Sequence, residues 1–323
     1  MKIKELEVGS TVTITLAVAS AEDRATRAGK PYLDMNFFDG TDSINGKYWD
    51  WTSGNIPGKN TVLDVRASVT EWQGVKQLNI KSMTTNKEVP ISAFAPTSPS
   101  GVDPSALFSQ VLKEVGCISN EYLRKLTTRV LEGLEPKWLT VPGAKGIHHA
   151  YAAGTLIHSA SVARIARAIA STIPEADEEL CYVGGLLHDI GKLFTYTVDG
   201  VNIDMTDEGR MYDHLFIGAE FIGNYAETYE VPLNCAEERL LQLLRHIILS
   251  HHGKREFGAV VPPLFLEAHI VHHADAIDAA AEEIRTGSLG LEKAKWTDRI
   301  WPLENLPHLT VGYVSDVLKQ SLK

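Results

Sequence analysis

The feature that most constrains this chain is a change in the period of its apolar residues. Through residues 11–85 they recur at every second position, in TVTITLAVAS, PYLDMNFFD, SINGKYWDW, VLDVRASV and VKQLNIKSM. From residue 106 onward they recur at three- and four-residue steps, in ALFSQVLKEVG, NEYLRKLTTRVLEGL, GTLIHSASVARIARAIASTI, EELCYVGGLLHDIGKLF, ERLLQLLRHIILSHHG and LEAHIVHHADAIDAAAEEI. Period two lays apolar side chains on one face of a strand, and period 3.6 lays them along one stripe of a helix. A run of strands followed by a run of helices predicts two domains with separate cores. The segment between them, EVPISAFAPTSPSGVDPSA, holds four prolines and reads as a linker. The expected division is a β domain over 1–87, a linker over 88–106 and an α domain over 107–323.

About five short strands arranged around the turn residues Asp39-Gly40-Thr41-Asp42 and Gln73-Gly74 fit a small closed barrel, and the OB-fold is the expected form. With Leu33, Met35, Phe37, Ile44 and Tyr48 pointing inward, strand parity places Tyr32, Phe38, Lys47, Trp49 and Trp51 on the outer face. Such a face suits single-stranded bases, each stack being worth about 1–3 kcal/mol. The competing reading is that these aromatics close the barrel ends.

Charge and histidine separate the two halves further. Residues 1–100 carry 11 Lys+Arg and 11 Asp+Glu, so the whole net charge of -10 arises after residue 100. All 12 histidines lie between His148 and His308. Neither half has the basic balance of a duplex binder. No apolar run approaches the roughly 18–20 residues of a membrane span, and MKIKELEVGS lacks the apolar stretch of a signal peptide, so the expected compartment is the cytoplasm, with no membrane partner. Cys117, Cys181 and Cys235 are odd in number and widely spaced, which argues against a disulfide framework and against a cysteine zinc site.

Within GGLLHDIGKLF, residues 184–194, Asp189 stands in an apolar helical pattern. An ionised carboxylate taken out of water needs a partner. His158, His188 with Asp189, and Asp275 each sit in a different apolar helical segment, and three helices each offering an imidazole or carboxylate assemble a divalent-cation site. Lys192, one turn after His188, is expected on the same face, where it contacts a phosphate oxygen or forms an ordinary salt bridge.

These residues resemble the HD-domain metal-dependent phosphohydrolase superfamily, whose ligand order is His, His-Asp, Asp. The chain is more closely similar to the YhaM-type 3′-to-5′ exoribonucleases, which join an OB-fold to an HD domain. The resemblance runs through GKPYLDMNFFDGTDSINGKYWD, HHAY, LLHDIGK, TDEGRMYDHLFIG, LLRHIILSHHGKREFG, EAHIVHHADAIDA and TDRIWPLENL. It implies a fold of an all-β OB barrel followed by an all-α HD domain. It also implies one or two divalent ions, with Asp189 shared between them and His214, His251 and the neighbouring His252 on the second. His148 and His149 are then expected to contact the phosphate or protonate the leaving oxygen, beside Asp189 and Lys192 as catalytic groups. Mixed imidazole and carboxylate donors suit Mn²⁺, Fe²⁺, Co²⁺, Ni²⁺ or Zn²⁺, and the resemblance favours Mn²⁺. Three positions depart from the family pattern: Ile147 stands for Asn, Ile157 for Glu and Asp213 for Gly.

The expected function is hydrolysis of single-stranded RNA, with single-stranded DNA as a second substrate, from the 3′ end. The alternatives are a phosphohydrolase of a small nucleotide and a non-catalytic single-strand binding module. No Gly-Tyr-Pro element follows HDIGK, unlike HD enzymes of cyclic dinucleotides. The tail TVGYVSDVLKQSLK fits either a last packed helix or a contact in a homo-oligomer.

Overall fold

The computed structural model describes residues 1–52, 54–95, 101–145, 149–229 and 233–321. It divides into two compact units, Met1–Pro99 with Val198–Ile203, and Ser100–Thr197 with Asp204–Lys323.

The first unit is a closed barrel of β1 (Thr11–Ala25), β2 (Pro31–Phe38), β3 (Ser43–Tyr48), β4 (Val62–Trp72) and β5 (Val75–Thr85), joined in the order β1-β2-β3-β5-β4. All ladders are antiparallel except β3 with β5, where Asn45, Gly46 and Lys47 pair with Gln77, Leu78 and Asn79. That parallel crossing closes an OB-type Greek-key barrel. β1 serves two neighbours, and its register shifts between Val18 and Ser20, a bulge that bends the strand from one partner toward the other. The interior keeps strict alternation: Ile14, Leu16 and Val18 on β1, Leu33, Met35 and Phe37 on β2, Val65, Ala67 and Val69 on β4, Leu78 and Ile80 on β5. Gln73 and Gly74, both at positive φ, make the tight hairpin between β4 and β5. Within the 88–106 stretch, Ile91–Phe94 forms a 3-10 turn, and Phe94 packs with Ala17, Val62 and Val201 in a small cluster outside the main barrel core. Residues 96–100 of that stretch lie outside the described residues.

The second unit is helical: α1 (Pro104–Gly116), α2 (Glu121–Gly133), α3 (Glu135–Trp138), α4 (Gly154–Ala170), α5 (Glu178–Leu187), α6 (Lys192–Thr195), α7 (Asp207–Tyr229), α8 (Cys235–Ser250), α9 (Leu266–Gly287) and α10 (Tyr313–Ser321); in sequence, the short strands β6 (Tyr196–Asp199) and β7 (Asn202–Met205) lie between α6 and α7, and their Val198–Ile203 portion belongs to the first unit. Caps written in the sequence start four of the helices. Asp103, Asn120, Asp177 and Asn234 each accept backbone N–H groups from the first turn, and Asn234 with Glu237 forms a reciprocal capping box. The apolar stripes of α2, α4, α5, α8 and α9 meet around Trp138, Leu156, Tyr182, Leu186, Ile247 and Val271. Among the described residues no helix is long and apolar enough to cross a membrane.

Candidate metal centre

Five segments deliver polar side chains into this apolar packing. His158 comes from α4, His188 and Asp189 from the turn after α5, His214 from α7, His251 and His252 from the end of α8, and Asp275 from α9. Two glycines set their spacing. A Cβ on Gly185 would lie 2.8 Å from the Ala163 Cα, so α5 closes on α4 backbone to backbone. A Cβ on Gly191 would lie 1.9 Å from the His214 carbonyl oxygen. Only glycine lets the turn carrying Asp189 reach the strip of α7 that carries His214.

Around Asp189 the donor atoms converge in two groups. His158 Nε2 lies 3.2 Å from His188 Nε2, 3.3 Å from Asp189 Oδ2 and 3.1 Å from Asp275 Oδ1. His188 Nε2 is 3.3 Å from the same Asp189 oxygen and 3.9 Å from Asp275 Oδ1. The other oxygen, Asp189 Oδ1, faces His214 Nε2 at 3.3 Å and His251 Nε2 at 3.5 Å. The His252 ring packs 4.4 Å from that of His251 and 5.1 Å from that of His214, centroid to centroid. Donors sharing one cation at bonds of about 2.0–2.2 Å stand about 2.9–3.6 Å apart, between octahedral and tetrahedral edges. Most of these separations fall in that range.

Each imidazole is oriented from behind. The Nδ1 of His188 meets the Gly185 carbonyl at 2.7 Å and that of His251 meets the Ile248 carbonyl at 2.8 Å. The Nδ1 of His158 meets Asp278 Oδ2 at 2.7 Å, and that of His214 meets Asp213 Oδ1. An acceptor at Nδ1 places the ring proton there and leaves the Nε2 lone pair facing inward. Four inward Nε2 atoms thus surround two carboxylates.

The electrostatics show what such an arrangement needs. Burial drives the His251 pKa down to about 3, against the opposing pull of Asp189, so near pH 7 a neutral ring aims its lone pair at a carboxylate. Burial also lowers His158 and His214, but the neighbouring carboxylates outweigh it: Asp189, Asp275 and Asp278 raise His158 well above its ordinary value, and Asp189 and Asp213 raise His214. Burial would raise Asp189, yet Lys192 and His188 hold it well below the usual carboxylate range. Apart from the Lys192 ion pair, neither Asp189 oxygen has a hydrogen bond among the described residues, nor has His214 Nε2. Buried imidazole nitrogens and carboxylate oxygens that face each other across about one ligand edge fit divalent cations.

Two expectations change in detail. Lys192 is buried with its Nζ 2.7 Å from Asp189 Oδ2, an i,i+3 ion pair made possible because α5 ends at Leu187 and the chain turns through His188–Gly191. His149 is buried, with Nε2 2.9 Å from Asp278 Oδ2 and Nδ1 2.7 Å from the Tyr151 hydroxyl. Both its nitrogens are spent behind His158, so it orients the centre and does not face a phosphate. His148 lies outside the described residues. Sequence reasoning missed Asp278, Tyr151 and Glu282: Asp278 is shared by His158 and His149, and the Tyr151 hydroxyl donates to Glu282 at 3.1 Å. The signal available was the second aspartate of HADAID, one turn after Asp275 on the same face of α9. His246 accepts from the Leu264 N–H, and His272 meets the His251 carbonyl, so both serve packing.

On the barrel, Tyr32 and Trp49 pack at 4.6 Å between centroids with Lys47 Nζ 5.7 Å from each ring. Two of the five expected face residues are elsewhere. Trp51 is buried in the barrel core, because β3 ends at Tyr48 and parity does not carry past a strand end. Phe38 does point out of the barrel, but Val89, Ile91, Phe94 and Val201 share its cluster and cover it.

Residues 155–280 match the HD domain family. The match spans the helices that carry every ligand candidate. The fold is therefore an OB-like barrel followed by a helical HD domain. Among solved structures, a domain of replication protein A from Methanococcus maripaludis is similar at 22% identity over 26% of this chain and 92% of its own, with a TM-score of 0.24. A replication protein A heterotrimer bound to ssDNA is similar at 19% identity over 26% and 62%, with a TM-score of 0.21. The HD domain of L. monocytogenes phosphodiesterase PgpH is similar at 25% identity over 46% and 73%, with a TM-score of 0.31.

Proposed function

We propose that the chain is a metal-dependent phosphodiesterase of the YhaM type, releasing nucleotides from the 3′ end of single-stranded RNA. The observation that carries this reading is Asp189, whose two oxygens face two separate sets of inward imidazole nitrogens. The HD match over residues 155–280 supports a metal-dependent phosphohydrolase, and an OB-type barrel with an aromatic and cationic face supports a single-stranded substrate.

In this reading His158, His188, Asp189 and Asp275 would hold one ion, and His214, His251 and Asp189 would hold a second, with His252 beside them. Mn²⁺ suits the mixed donors. Divalent cations bound there would supply Lewis-acid stabilisation of the phosphate and lower the pKa of a water. The protein's own part is orientation and charge. Asp278, held in turn by His149, fixes the His158 tautomer, and Lys192 keeps Asp189 ionised while bringing an ammonium to the place where phosphate charge accumulates.

The test is cleavage of 5′-labelled single-stranded RNA in Mn²⁺, with matched single-stranded DNA and a panel of small nucleotides alongside. A ladder shortening from the 3′ end is expected. Turnover of the small nucleotides alone would establish the narrower phosphohydrolase, and retardation without cleavage would leave only a binding module. Tyr32→Ala and Trp49→Ala are each expected to weaken oligonucleotide binding about 5- to 150-fold, the worth of one lost stack, while sparing hydrolysis of a dinucleotide. Equal loss on both substrates would remove the barrel face from the account.

A further inference from the structure

The run of α7 is interrupted at Asp213, which has φ 61° and ψ 160°. This is a region that residues other than glycine rarely adopt. Oδ1 of Asp213 accepts the His214 backbone N–H and also meets His214 Nδ1. One carboxylate oxygen thus fixes both the backbone entry and the ring of the residue that follows it. On the far side, the His214 carbonyl is pressed against Gly191, where a Cβ would approach to 1.9 Å. Held from both directions, the ring has its Nε2 3.3 Å from Asp189 Oδ1, buried and without a hydrogen bond. The other three inward histidines are oriented differently, by main-chain carbonyls or by Asp278 across from α9. Only His214 depends on its own sequence neighbour, and that neighbour bears the backbone cost.

We propose that Asp213 is a positioning residue, which accepts the unusual backbone conformation in order to lock His214 in the Nδ1–H tautomer with Nε2 presented toward Asp189. The claim about the second ion rests on the reading above, whereas the claim about the ring does not.

Three proteins separate the possibilities: the parent, Asp213→Gly, which suits the backbone and removes the acceptor, and Asp213→Asn, which keeps an acceptor oxygen. The ring is read in metal-free protein by nitrogen NMR of labelled histidine at alkaline pH, with the His214 signal assigned by its absence in His214→Gln. The parent and Asp213→Asn are expected in the Nδ1–H form and Asp213→Gly in a mixed or Nε2–H form. Calorimetric titration with Mn²⁺ is expected to show the second ion bound about 10- to 100-fold more weakly in Asp213→Gly, the first ion unchanged, and most of the loss recovered in Asp213→Asn. An unchanged tautomer in Asp213→Gly overturns the proposal. So does a second ion bound within threefold of the parent by that variant. A tautomer change combined with no second ion in the parent would uphold the positioning role and overturn the two-ion reading instead.

Discussion

Asp189→Asn is expected to abolish hydrolysis, by about 10³-fold or more, because it removes the one group common to both sets of imidazoles. That factor corresponds to the several kcal/mol of transition-state charge stabilisation that bound cations contribute. The amide keeps the shape of the carboxylate but not its charge. It also leaves the Lys192 ammonium, only 8% exposed, without its counter-ion. An uncompensated buried charge typically costs about 3–5 kcal/mol, so the ion-free variant should also melt earlier than the parent. The measurement is cleavage rate together with ion content of the purified protein. If the Asp189→Asn variant cleaved at the parental rate with its ions in place, Asp189 would be a bystander.

The second large effect comes from a residue with no side chain. Gly191→Ala would set a methyl 1.9 Å from the His214 carbonyl oxygen, 2.7 Å from the His214 carbonyl carbon and 2.8 Å from the Gly218 nitrogen. These are backbone atoms, so no rotamer change relieves the overlap, and α7 must move away from the turn carrying Asp189. Overpacking of this kind costs about 3 kcal/mol or more, or roughly 6–12 °C in melting temperature for a domain of this size. Because the displaced strip is the one bearing His214, the second ion should weaken as well. Thermal denaturation and Mn²⁺ titration of the variant check both halves, and a melting temperature within about 2 °C of the parent, the shift of less than about 1 kcal/mol, would show that the contact is looser than it looks.

Much of this was legible in the residues. The barrel interior follows from alternation alone, since Leu33, Met35 and Phe37 can share one side of a strand only at period two. The inner ligand candidates were legible for a related reason: a histidine or aspartate in an apolar helical stripe must enter the core with that stripe, and His158, His188 and Asp189 do, with Asp275 at its edge. What failed was parity carried beyond its element. Trp51 lies three residues past the end of β3, where the chain has turned, and it enters the core it was expected to face away from. Phe38 kept its parity but met a covering cluster from residues distant in sequence, which local pattern does not encode. Asp278 was missed and His149 was given another role because a single chain shows which face a residue occupies, not which of two neighbouring histidines an aspartate will hold. Asp213 was visible only as an odd residue at its position, and its meaning lies in a backbone angle.

The central claim is that two divalent ions share Asp189. Anomalous diffraction from crystals grown with Mn²⁺ tests it most directly. The account predicts two peaks, one within about 2.0–2.3 Å of His158 Nε2, His188 Nε2, Asp275 and Asp189 Oδ2, the other at similar distances from His214 Nε2, His251 Nε2 and Asp189 Oδ1. A map with no peak at Asp189, and with His158 and His214 instead hydrogen-bonded directly to its oxygens, would contradict it.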